Sequence, residues 1–81
     1  MLINDPKQLG KFIKTLRKRM GVTQKDLALS AGTGLRFIVD LEKGKPTCHV
    51  GKVFSALKML GVNLNAIPPA GFNVDDQQTE K

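Results

Sequence analysis

The chain has a single cysteine, so no disulfide can close within it, and Cys48 with its neighbour His49 falls short of the roughly four ligands that a structural zinc site takes. No apolar run approaches the ~20 residues of a membrane span, and the opening stretch MLINDPKQLGKF lacks the charged-then-apolar layout of a secretory signal. A cytoplasmic protein with no membrane attachment is therefore expected. Length is short as well: 81 residues bury only about 60% of their unfolded surface, which argues against a second domain or a deep enzyme cleft. Neither a nucleophile–base pair nor a phosphate-binding loop is present, since side chains adjacent on a helix, as at Cys48-His49, point about 100° apart and no third group accompanies them. No catalysis, metal or cofactor is expected.

Negative charge is scarce too. Seven Asp plus Glu stand against 13 Lys plus Arg, for a formal net charge of +6, while 41% hydrophobic content is enough to build a core. The imbalance is uneven along the chain. Residues 1–65 carry 12 of the basic groups and 4 acidic ones, whereas residues 66–81 set Lys81 against Asp75, Asp76 and Glu80. The sequence thus divides into a basic folded domain, 1–67, and a flexible acidic tail, 68–81. A basic excess of this kind becomes a nucleic-acid footprint when the charges gather on one face, and is a solvated surface otherwise.

Helix signals follow one another closely. Asp5-Pro6 suits a helix start, and Leu9, Phe12, Ile13 and Leu16 then repeat at i, i+3, i+4, i+7 until about Arg19, with Lys7, Lys11, Lys14 and Lys18 on another stripe. Gly21 ends this helix, Thr23 caps a second with Asp26 three residues on, and Gly32 closes it. A third segment opens at Thr33-Gly34, buries Ile38 and Leu41, and stops at Gly44. Two short helices joined by a glycine-containing turn of about three residues have the layout of a helix-turn-helix. Pro46 and Thr47 are read as the start of a fourth helix, with Val50, Val53, Phe54, Leu57 and Leu60 as its apolar stripe and Gly61 as its end. Beyond it, Val62-Asn63-Leu64-Asn65-Ala66-Ile67 alternates apolar and polar residues at period two. A lone strand has no partner in a helical domain, so this segment is a loop, a strand pairing with a second subunit, or a last short helix.

The stretch GVTQKDLALSAGTGLRFIVDLEKGK resembles the helix-turn-helix of the XRE family, relatives of the lambda and 434 phage repressors and Cro. The matching features are Gly21, Thr23-Gln24, Leu27-Ala28, Ala31-Gly32, Ile38 and Leu41-Glu42-Lys43-Gly44-Lys45, within residues 7–65. Small size, the RFIVDLEKGKPTC stretch and the alternating segment after the fourth helix are most similar to the HipB-type branch. The resemblance implies an all-α, lambda-repressor-like bundle of four to five short helices, with the C-terminal intersubunit strand open as one alternative. It implies a homodimeric repressor of double-stranded operator DNA, located at the nucleoid. In the HipB-type branch it further implies an antitoxin that dimerises through its C-terminal segment, here Val62, Leu64 and Ile67, and restrains a HipA-like kinase toxin. A free-standing repressor, or a protein-interaction inhibitor for which DNA binding is secondary, is the alternative.

In this docking mode the third helix lies in the major groove with its first turn toward the bases. Arg36 is the candidate reader of guanine, Leu35 the apolar contact for a thymine methyl, and Asp40 an acceptor from a cytosine amino group or else a solvated carboxylate. The resemblance gives Gln24 a phosphate contact that also braces the recognition helix. Thr23, Lys25, Gly34, Lys43 and Lys45 are further candidates for the sugar–phosphate backbone, where contacts set affinity and register but carry no sequence information. Arg17 and Glu42 occupy positions that in this family form a structural ion pair. The pattern departs at Gly34 and Phe37, where the family commonly has small hydroxyl residues.

Overall fold

A computed structural model of the protein describes residues 1–74. Side-chain caps define the start of three of the four helices. The Gln8 backbone N–H donates to the Asp5 carboxylate at 2.8 Å and Pro6 takes the first helical position, giving α1 (Pro6–Arg19). The Asp26 N–H donates to Thr23 Oγ1 at 3.0 Å at the head of α2 (Gln24–Ala31). The third helix, α3 (Leu35–Lys43), runs between Gly34 and Gly44, and α4 (Val50–Met59) follows. No strand occurs among the described residues.

The fourth helix corrects the expectation from sequence. Pro46 and Thr47 form a turn, and the helix begins only at Val50, where His49 Nδ1 accepts the Lys52 N–H at 3.3 Å. Cys48, half-buried against the core, holds the intervening residues in a connection rather than a helical turn. Its apolar stripe also differs. Val53, Ala56, Leu57 and Leu60 form the inner face, while Val50 is 67% and Phe54 52% exposed. Phe54 stands one residue, about 100°, round from Val53, which is enough to turn it outward.

All four helices contribute to one core: Ile13, Leu27, Ala28, Ile38, Leu41, Val53, Ala56, Leu57 and, just past the end of α4, Leu60. Leu9, Phe12 and Leu16 pack around its edge. The helix α3 rests on both α1 and α2, and α2 also packs on α4. Each is too short to be stable alone, so this burial and not helix propensity holds them.

Against α3, the first helix comes into backbone contact. A Cβ added to Gly10 would lie 2.7 Å from the Glu42 carbonyl oxygen, and one added to Gly44, whose φ is +84°, would lie 2.7 Å from Lys7 Cα. The last turn of α3 therefore sits directly on the first turns of α1.

Residues 62–67 form neither a strand nor a helix within the chain. Val62 closes α4, its N–H donating to the Leu57 carbonyl at 2.9 Å and its side chain packing on the core, whereas Leu64 and Ile67 are exposed. The segment shares a groove with Met1, Leu2, Ile3 and Asn4. Asp75, Asp76, Glu80 and Lys81, the acidic tail of the sequence reading, lie outside the described residues.

Gly10→Ala should therefore cost about 1–3 kcal/mol, the usual penalty for adding volume where neighbouring backbone cannot yield. Thermal melting of the variant should show a Tm lower by roughly 4–8 °C per kcal/mol; an unchanged Tm would refute this close approach of α1 and α3.

Candidate nucleic-acid interface

A buried electrostatic junction fixes the orientation of α3. Arg17 Nε lies 2.6 Å from Glu42 Oε2 and its Nη2 donates to Oε1 at 3.0 Å, with side-chain exposures of only 8% and 2%. Arg17 Nη1 also donates to the Val22 carbonyl at 2.8 Å, and the Gln24 amide donates to Glu42 Oε1 at 3.0 Å. The end of α1, the entry to α2 and the last turn of α3 thus meet on one carboxylate. Its two oxygens accept three hydrogen bonds, two of them from a forked guanidinium whose planar geometry matches a carboxylate.

With Ile38, Leu41 and Glu42 turned inward, the opposite stripe of α3 consists of Arg36, Asp40 and Lys43, at i, i+4 and i+7. Arg36 is 85% exposed along its side chain, and its Nε lies 3.3 Å from Asp40 Oδ1. Asp40 Oδ2 lies 3.5 Å from Lys45 Nζ, and the carboxylate is only 17% exposed. Both Asp40 oxygens therefore face cations of the same chain. Leu35, next to Arg36, is half-exposed at the first position of the helix.

The candidate contacts fall into two groups. Gly34, Leu35 and Arg36 are at the amino end of α3, where Gly34 provides no side-chain cap and leaves first-turn amides available to an anion. Thr23, Gln24 and Lys25 begin α2, and the Gln24–Glu42 bond places that end beside the carboxyl end of α3, with Lys43 and Lys45. The 9 residues of α3 put its two ends about 12 Å apart. Thr23 Oγ1 is occupied in capping, while Lys25, Lys43 and Lys45 are exposed.

One feature the sequence left open and another it did not show are settled by packing. Phe37 is half-buried against the core and so turns away from the outward stripe. Lys52, on the first turn of α4, stands 6.0 Å from the centre of the Phe37 ring, which brings another cation to the front of α3. Nothing local marks Lys52; it becomes a neighbour of α3 only through the packing of α4.

The fold is shared with known proteins. The helix-turn-helix family model matches residues 13–67. The HTH-type transcriptional regulator y4mF of Sinorhizobium fredii is 45% identical over 67 residues, covering 83% of this chain and 88% of the relative. The chain is also similar in structure to the protein of a HipB-O4 20mer complex, with a TM-score of 0.79, 25% identity, and coverage of 85% of this chain and 97% of the other. A HipA-HipB-O2-O3 complex contains a chain matched with the same TM-score, identity and coverage.

Removing one partner of the buried junction should be far costlier than removing both. Glu42→Ala is expected to lower stability by about 3–5 kcal/mol because it leaves the Arg17 charge uncompensated. Joint replacement, Arg17→Met with Glu42→Leu, should cost much less. Urea unfolding of the two variants measures the difference, and equal midpoints would contradict the role assigned to the junction.

Proposed function

This chain belongs to the helix-turn-helix family, and on that premise we propose that it is a sequence-specific DNA-binding repressor of transcription, acting as a homodimer on a two-fold related operator. The observation that carries the reading is the exposed Arg36 at the front of a helix whose other side is locked into the core. Arg36 reads a guanine and Leu35 lies against a thymine methyl. Thr23, Gln24, Lys25, Gly34, Lys43 and Lys45 hold the sugar–phosphate backbone from both ends of α3. Repression follows from occupying the promoter. The DNA-binding domain comprises residues 1–67.

Dimerisation is assigned to the segment after α4. Leu64 and Ile67 are exposed, Ile67 by 81%, beside the exposed Met1 and Leu2, and a second copy would cover them. Pairing of residues 62–67 with the same segment of the partner would satisfy backbone groups that have no ladder within one chain. Val62 contributes by anchoring the segment to α4. Likeness to HipB, including the HipB of a complex with HipA, supports an autoregulating antitoxin whose partner is a HipA-like kinase.

Three measurements test this reading. Arg36→Ala should reduce selectivity for the operator over random DNA by about 1–3 kcal/mol in gel-shift titration. Unchanged selectivity would remove Arg36 from readout. For the parent protein, log affinity should fall against log salt with a slope near −0.9 per phosphate neutralised, and a flat response would reject the electrostatic footprint. Light scattering should give twice the mass of one chain, reverting to the monomer in Leu64→Asp/Ile67→Asp; a monomeric parent would overturn the dimer.

A further inference from the structure

Asp40 is the acidic member of the outward stripe of α3, and acid in a DNA-facing surface calls for explanation. Phosphate repels a carboxylate, so its presence weakens binding to every sequence alike. Yet its two oxygens engage the residue best placed to read a base, Arg36 at 3.3 Å, and a lysine just past the far end of the same helix, Lys45 at 3.5 Å. Its own side chain is 17% exposed and that of Arg36 is 85% exposed. The fixed member of the pair is thus the acid, and the member that needs fixing is the reader.

We propose that Asp40 is a positioning residue for Arg36: it holds Nε so that the two terminal amino groups are presented together to one guanine. The assignment rests on the DNA-binding reading above and goes beyond it by giving Asp40 a role other than direct contact with a base.

The geometry of the guanidinium supports this. An arginine that bonds guanine O6 and N7 end-on uses its two terminal nitrogens, which leaves Nε available to a carboxylate at the side. That is the nitrogen which faces Asp40. Without Asp40, so exposed a side chain could turn to the nearest phosphate instead, a contact identical on all sequences. An i, i+4 ion pair whose cation is exposed contributes little to stability, so the consequence of losing this one lies in specificity more than in folding.

Competitive selection from a DNA duplex pool randomised across two helical turns tests the proposal, with the parent, Asp40→Asn, Asp40→Glu, Arg36→Ala and Arg36→Ala/Asp40→Asn compared by sequencing. The guanine preference that Arg36→Ala abolishes should fall in Asp40→Asn by about tenfold, within the roughly 5- to 150-fold that a bidentate contact provides. Asp40→Glu, which can still reach Nε, should keep most of it. The double variant should select as Arg36→Ala does. In titrations on random DNA, Asp40→Asn should bind more tightly, with a salt slope steeper by about 0.9 as Arg36 turns to a phosphate. Full preference in Asp40→Asn overturns the proposal, as does an Asp40→Asn effect that persists in the Arg36→Ala background, which would make Asp40 itself the reader. A parent that selects no sequence overturns the repressor reading and this assignment with it.

Discussion

The carboxylate of Glu42 lies where water scarcely reaches, and the relation between α1, α2 and α3 depends on how it is satisfied. Taking two opposite charges out of water costs several kcal/mol per ion, a cost that only excellent geometry and further hydrogen bonds offset. Here Arg17 supplies a fork from α1, Gln24 supplies an amide from the first turn of α2, and the spare terminal nitrogen of Arg17 is taken up by the Val22 carbonyl. Each of these groups is constrained in direction as well as distance. An apolar core of Ile13, Leu27, Ile38 and Leu57 could hold the helices together in several rotations, but this junction is compatible with one.

From that rotation the rest of the surface follows. With Glu42 inward, Arg36, Asp40 and Lys43 are outward, and Gln24 cannot bond Glu42 without bringing the amino end of α2 to the carboxyl end of α3. The close approach at Gly10 sets the depth at which α1 meets α3, because no side chain separates the backbones there. A helix presented on such a base loses little freedom on binding, which is the physical content of preorganisation.

Much of this arrangement was legible in local chemistry. Asp5-Pro6, Thr23 and the glycines that end the helices act within a few residues of themselves, so the bounds of α1, α2 and α3 follow from the chain alone. His49 was harder to read, since histidine is not among the favoured N-cap residues and Pro46 fits a first helical position just as well; the pinning of Cys48 against the core decided between them. Periodicity likewise identified the inner face of α4 but not its width, and Val50 and Phe54 fell outside it. At the interface, Arg17 and Glu42 are 25 residues apart and were paired only through the family resemblance. Lys52 beside Phe37 belongs to the same class of tertiary neighbour, but no motif accompanies it.

Charge shows the same distinction between what composition provides and what placement adds. An excess of 13 basic over 7 acidic residues favours any polyanion, and simply adding cations would bind DNA more tightly. Among the acids of the described residues, Asp5 caps α1 and Glu42 holds the buried junction, while Asp40 faces Arg36 and Lys45. Asp26 lies in the first turn of α2, where a carboxylate complements the helix dipole while competing with a phosphate for the same amides. Such acids lower affinity for DNA in general. A DNA-binding regulator, however, works against a vast excess of non-specific sites, so the ratio of affinities matters more than either one. Carboxylates that restrain cations near the groove reduce the sequence-independent part of binding and leave the base-reading part to set that ratio.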